Sequence, residues 1–196
     1  MRFIGDVHGK MGQYLAITDL CDASVQVGDF GAGFVPLPEI GLNHRFIRGN
    51  HDSPAVCRSS PNWISDGTVE TINGTRILYI GGAWSVDWQF RRPGISWWPD
   101  EECSWSTLYD CLDAVSLHKP NIIVSHDCPR VVCADLFGPH THHYETTRTS
   151  SALDAMLAKH SPDLWIFGHH HSSVKKRIGL TEFVCLDELA YVDLLL

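Results

Sequence analysis

The opening stretch Met1-Arg2-Phe3-Ile4-Gly5-Asp6-Val7-His8-Gly9 sets the pattern of the chain. A short apolar run, which reads as a buried strand, ends abruptly on a carboxylate, an imidazole and glycine. The pattern returns downstream. Ser24 to Val27 leads into Gly28-Asp29, and Arg45-Phe46-Ile47-Arg48 leads into Gly49-Asn50-His51-Asp52. Asn121-Ile122-Ile123-Val124 leads into Ser125-His126-Asp127, and Leu164-Trp165-Ile166-Phe167 leads into Gly168-His169-His170-His171. Tyr14, Leu15, Ile17, Thr18 and Leu20 suggest a helix between the first two strands. Strands that alternate with helices and end on polar residues describe an α/β sheet, whose ligands gather beyond the carboxyl ends of the strands.

The rest of the chain fills in around this frame. Gly31 to Gly41 is rich in Gly and Pro and reads as loop. Asn73-Gly74 between two apolar runs, Thr68–Ile72 and Arg76–Ile80, predicts a β-hairpin. Ser104 to Leu117 reads as a helix, and Ser150 or Ser151 is expected to cap another that ends near His160. Two further strands are expected at Phe183–Leu186 and Ala190–Leu195. One domain spanning residues 1–196 suits this length, with no repeat, linker or low-complexity tract.

Bulk composition narrows the function. Hydrophobic residues make up 44% and charged residues 19%, a globular balance. No apolar run approaches the ~18–20 residues that span a bilayer. Asp6 comes too early to follow a removable signal, so a cytoplasmic location is expected. The net charge of −8 argues against bulk nucleic-acid binding, which needs basic surface. Seven cysteines with no Cys-x-x-Cys pair read as free thiols, with packing as the expected role of Cys128.

The polar strand ends carry the chemistry. Asp6 with His8, and His169 with His171, are two apart. On extended backbone such pairs face one side, so each is expected to aim two ligands at one centre, with Val7 and His170 facing elsewhere. Mixed oxygen and nitrogen donors suit hard-to-intermediate divalent metals. Asp29 has two oxygens with which to bridge a pair of them, and Asn50 supplies a neutral carbonyl oxygen.

The ordered set Asp-x-His, Gly-Asp, Gly-Asn-His-Asp, His and Gly-His-x-His resembles the calcineurin-like metallophosphoesterase superfamily, over nearly the whole chain. The resemblance implies a β-sandwich of two mixed sheets flanked by helices, an α/β layered fold. It implies one divalent metal on Asp6, His8, Asp29 and His171, and a second on Asp29, Asn50, His126 and His169. Manganese is foremost, with iron, zinc, cobalt or magnesium as alternatives. The implied reaction is hydrolysis of a phosphate ester by in-line attack of hydroxide generated at the metals. His51 is implied to project away from the metals, as acid or transition-state stabiliser at the leaving oxygen. Asp52 is expected to orient it and favour its charged form.

The substrate reading rests on a departure from the pattern. Protein phosphatases of the superfamily carry Gly-Asp-x-x-Asp-Arg-Gly at the second motif, and this chain has Gly28-Asp29-Phe30-Gly31-Ala32-Gly33. The missing arginine leans the expectation away from phosphomonoesters, toward diesters or nucleotide-type substrates. Segment 81–105 holds Trp84, Trp88, Phe90, Arg91, Arg92, Trp97, Trp98 and Trp105, a set that can stack bases and pair phosphates or simply pack beneath a loop. The rivals are a phosphomonoesterase, a nuclease at nucleic-acid ends, and a non-catalytic scaffold of the same fold. His140, His142 and His143 read as a solvated loop, and Lys175-Lys176-Arg177 as a solvated hairpin.

Overall fold

The structure, a computed structural model, describes residues 1–138 and 147–196. His140, His142 and His143 lie outside the described residues.

Two mixed sheets face one another. The first contains β1 (Arg2–Ile4), β2 (Ser24–Gln26), β3 (His44–Phe46) and β10 (Tyr191–Asp193), in the order β10-β1-β2-β3. The three early strands are parallel and β10 is antiparallel to β1. The second contains β4 (Val69–Ile72), β5 (Thr75–Ile80), β6 (Ile122–Ser125), β7 (Leu164–Phe167), β8 (Val174–Ile178) and β9 (Thr181–Cys185), in the order β4-β5-β6-β7-β9-β8. Its centre is parallel, and antiparallel strands close both edges.

The two-residue period of the strands builds three cores at once. Phe3 and Val25 meet Ile77, Tyr79, Ile122, Val124, Ile166 and Val184 between the sheets. Their neighbours Leu78, Ile80, Ile123, Trp165, Phe167 and Phe183 point the other way, under α3 (Trp105–His118), α4 (Arg130–Phe137) and α5 (Arg148–Lys159). Ile4, Phe30 and Phe46 pack with Tyr14 of α1 (Met11–Thr18) and Cys57 of α2 (Pro54–Ser59). Strands covered on both faces must be apolar throughout, which is why they are legible as runs rather than alternations.

The expected hairpin forms, with Asn73 at φ 48° and Gly74 at φ 86°, the two left-handed residues that a tight primed turn needs. Ser104 caps α3 by accepting from the Thr107 N–H. The cap of α5 is Thr147 in a reciprocal box with Ser150, and Ser150 and Ser151 lie inside the helix. Lys175, Lys176 and Arg177 sit exposed on the edge strand β8, where charge discourages further strand pairing. Among the described residues no helix is long and apolar enough to cross a membrane.

Candidate metal centre

β1, β2, β6 and β7 all end at the same rim, so the four motifs that follow them meet there, joined by the loop that follows β3. The ends come together, but not by strand alternation. His8, Asp29, His169 and His171 have φ of 47°, 57°, 65° and 46°, in the left-handed region that L-residues rarely occupy. Asp6 and His8 therefore meet through sharp turns beyond the strands, while His169 and His171 turn to different clusters, and the extended i, i+2 reading of these pairs is wrong. Non-glycine residues held this way persist only where the surroundings impose it, and they concentrate at functional sites.

Two clusters result. Asp6, His8 and His171 have ligand atoms within 4.8 Å of one another, and so do Asp29, His126 and His169. In the first, His171 Nε2 lies 3.1 Å from His8 Nε2 and 3.3 Å from Asp6 Oδ2. In the second, His126 Nε2 lies 3.1 Å from Asn50 Oδ1 and 3.3 Å from Asp29 Oδ1. Asp29 belongs to both, because its other oxygen, Oδ2, lies 3.9 Å from His8 Nε2. Glycine makes this crowding feasible. A β-carbon at Gly49 would collide with the Asp29 carboxylate, and one at Gly168 with the Asp6 carboxylate.

The proton inventory of the second cluster shows what fits it. His126 Nδ1 lies 2.9 Å from the Val27 carbonyl, which can only accept, so Nδ1 carries a hydrogen. Glu101 accepts from the Ser85 hydroxyl at 2.6 Å and from the Ser85 N–H at 2.8 Å. With its hydrogen committed, Ser85 Oγ accepts from Asn50 Nδ2 at 3.0 Å. This fixes the Asn50 amide with Oδ1 toward His126. A neutral His126 then aims a lone pair at two oxygens that are also acceptors. Acceptors converging in a buried space need a cation among them. Without a metal the only candidate is a proton on Nε2. Burial opposes it, yet the charge and hydrogen bond of Asp29, helped by Asp6, raise the His126 pKa to about 10. Burial likewise pushes the Asp29 carboxyl up, but His126, His51 and His8 outweigh it and hold it far below the carboxylate range. Burial drives His169 well below the ordinary imidazole value, and hydrogen bonding to Asp6 raises His171. The donor set is one that a pair of divalent cations would satisfy.

The sign of the His126 shift makes a prediction. A folded-state pKa above the unfolded value adds stability that is complete below ~6.5 and is lost as pH rises through about 10. Metal-stripped protein is expected to lose thermal stability steadily between those values, and manganese-loaded protein much less. A flat melting temperature in chelator over that range would count against the inventory.

His51 and Asp52 do not work as a pair. Asp52 is fully buried and accepts N–H groups of the backbone: Gly31 and Ala32 on Oδ1 at 2.7 and 2.8 Å, Phe30 and Gly49 on Oδ2 at 3.0 and 2.8 Å. It knots the second motif to the third, and its oxygens are spent on that task. The expectation that it orients His51 is corrected. Burial, with the nearby Asp29 charge, raises the Asp52 carboxyl against the pull of those N–H groups. The group at the His51 ring is instead Arg91, whose two terminal nitrogens lie 2.8 Å from Nδ1 and Nε2. Asp87 holds Arg91 through its Nε at 2.6 Å. Burial lowers the His51 pKa and Arg91 reinforces it against the attraction of Asp29, so the surroundings disfavour the charged form that Asp52 was expected to favour. Nor does His51 project away from the clusters. A ring nitrogen lies within 4.8 Å of ligand atoms of His8 and Asp29. His8, Gly31, Phe34 and His51 together line an open cavity of about 180 Å³.

A sequence profile of calcineurin-like phosphoesterases matches residues 2–173. The chain belongs to the calcineurin-like phosphoesterase family. It is thereby a metal-dependent phosphoester hydrolase. A search of curated proteins found no match. Among solved structures, protein TT1561 of Thermus thermophilus superposes with a TM-score of 0.57 at 16% identity, over 96% of this chain and 90% of that one. A candidate 5′-nucleotidase from Staphylococcus aureus, in complex with α-ketoglutarate, superposes with a TM-score of 0.54 at 11% identity, over 96% of this chain. This phosphoesterase spans about half of that nucleotidase, 48% of its length. At these identities the likeness is one of fold.

Glu101 and Ser85 were not singled out by the sequence, and Arg91 was named only within a set that can stack bases and pair phosphates. All three come from the Trp/Arg-rich segment, which carries no metal-ligand motif of its own. Glu101 and Ser85 are both buried. Partners behind a metal ligand typically tune metal affinity by ~10–100-fold. Glu101→Gln, in which an amide can donate to Ser85 Oγ and free the Asn50 amide to turn, is expected to weaken manganese binding by about that factor. Titration of stripped variant and parent protein checks this. Equal affinities would show that Asn50 is held some other way.

Proposed function

We propose that this phosphoesterase is a dinuclear enzyme, with Asp6, His8, Asp29 and His171 holding one metal and Asp29, Asn50, His126 and His169 the other. A single observation carries the proposal: the Asp29 carboxylate turns Oδ1 to the His126 cluster and Oδ2 to the His8 cluster. We take manganese as the first candidate metal and residues 1–196 as one domain. Bound there, two divalent cations supply positive charge for phosphoryl oxygens and lower the pKa of water toward ~7.

The remaining roles belong to the chain's own residues. His51, which lines the cavity, serves the leaving oxygen together with Arg91, which stands at both of its ring nitrogens. Arg91 keeps that ring in place and adds a cation beside the phosphate. Phe34, exposed at the cavity and set edge-on to Trp98 with ring centres 5.4 Å apart, offers an aromatic face to a base. Asp52 keeps the loops that carry Asp29 and Asn50 in register.

Phe34 beside the cavity supports a nucleotide-type substrate, and the missing arginine of the second motif supports a diester. Arg91 favours the alternative, a phosphomonoester, because it brings a guanidinium to the same place from another part of the chain. Stripped protein reloaded with manganese, zinc or iron and assayed on an aryl phosphomonoester, an aryl phosphodiester and cyclic nucleotides separates these. Diester or cyclic-nucleotide turnover at least ~10-fold above the monoester is expected. A monoester preference would move the reading to the alternative, and no turnover with any metal would move it to a scaffold.

A further inference from the structure

A third cluster of metal-binding groups lies behind the first two. Cys128, Cys133 and His170 are all buried, with ligand atoms within 4.8 Å of one another. Cys128 follows β6, Cys133 lies in α4, and His170 stands between the two histidines of the last motif. His169 and His171 turn toward the rim with positive φ, and His170 faces inward. Its Nε2 lies 3.4 Å from Cys128 Sγ and 3.3 Å from Asp127 Oδ1.

The first of those separations matches an edge of a zinc tetrahedron. With Zn–S of ~2.3 Å and Zn–N of ~2.0–2.1 Å, tetrahedral zinc sets sulfur and nitrogen about 3.5 Å apart. A hydrogen-bond reading explains them less well. One Nε2–H cannot point at both Sγ and Oδ1, and 3.3 Å is long for an imidazole–carboxylate bond. Phe137 stacks on the His170 ring at 4.8 Å and Phe167 meets it edge-on at 5.7 Å, so the ring is clamped with Nε2 toward the thiols. Two thiols and an imidazole form a softer donor set than the oxygen-rich rim, and such a set selects zinc. Two thiolates balance the charge of one zinc, and the Asp127 carboxylate lies beside His170 outside the ligand set.

We infer that Cys128, Cys133 and His170 form a three-residue zinc site, separate from the rim centre, that ties the Gly168–His171 turn to α4. Zinc entry releases the two thiol protons to solvent. The site holds the middle histidine of three, between His169 and His171, which face the rim.

The test uses the fully reduced, metal-stripped chain titrated with cobalt, read by absorption. Thiolate bound to cobalt gives a near-ultraviolet charge-transfer band, the rim residues include no cysteine, and loss of the band in Cys133→Ser assigns it to this site. We expect the band to saturate at one cobalt per chain, to be displaced by one equivalent of zinc, and to vanish in Cys133→Ser. That variant is expected to keep the manganese content of the parent. Absence of the band in the parent protein overturns the site, whatever the fate of the variant. So does retention of the full band in Cys133→Ser, or zinc content unchanged by that substitution. Failure of the rim centre would appear separately, as absent manganese with the band intact.

Discussion

Asp29→Asn is expected to reduce the metal content from two divalent ions per chain to one at most, and turnover by at least ~10³-fold. The substitution is nearly isosteric. Its amide oxygen can still accept the His51 N–H, which lies 2.7 Å from Oδ1 in the parent. What disappears is the charge and the second acceptor, the features that let one side chain serve both clusters. A pair of clamped metals contributes several kcal/mol of transition-state stabilisation, and each ~1.4 kcal/mol is tenfold in rate. Elemental analysis of dialysed protein and steady-state kinetics check the prediction. Two tightly held metals in the variant would mean that Asp29 does not bridge.

His51→Ala is expected to keep both metals and lose ~10²–10⁴ in turnover, the range of a well-placed proton donor. The neighbourhood makes the outcome informative, because a His51 nitrogen lies as close to His8 and Asp29 as the other candidate ligands lie to one another. Loss of a metal in this variant would make His51 a ligand. Arg91→Ala offers a second measure. With burial and Arg91 both lowering the His51 pKa, removing the guanidinium should raise it and shift the corresponding limb of the pH–rate profile upward. An unshifted limb would indicate that some other group sets it.

Much of the fold was legible because the site depends on strand ends. Phe3–Ile4, Ile122–Val124 and Leu164–Phe167 are covered on both faces and so read as continuous apolar runs. Each stops where the backbone must turn, and the glycines and polar residues at the stop mark the rim. The hairpin at Asn73-Gly74 was equally plain, since few residues tolerate two successive left-handed conformations. The helices α2 and α4 were not foreseen. α2 has six residues and α4 eight, too short to show a helical period convincingly.

The site was legible in its ligands and illegible in its supports. Asp52 sits beside His51 in sequence, and adjacency suggested a pair. The loop around it offers four backbone N–H groups, and a buried carboxylate goes where donors converge. Arg91 and Glu101 act across 40 and 51 residues of chain, on His51 and Asn50, and no local pattern announces either. The left-handed turns at His8, Asp29, His169 and His171 were hidden for another reason. Histidine and aspartate carry no strong signal for that conformation, and tertiary contacts impose it. Cys128 read as packing, and His170 as facing away from the ligand centre, because the spacing between cysteines fits no familiar zinc pattern. Their proximity exists only after β6, β7 and α4 assemble.

The most direct test is anomalous diffraction from crystals grown with manganese. Two peaks are predicted about 3.5–4 Å apart, one on each side of the Asp29 carboxylate. The first would contact Asp6, His8 and His171, and the second Asn50, His126 and His169. A single peak, or a pair that does not share Asp29, would contradict the account.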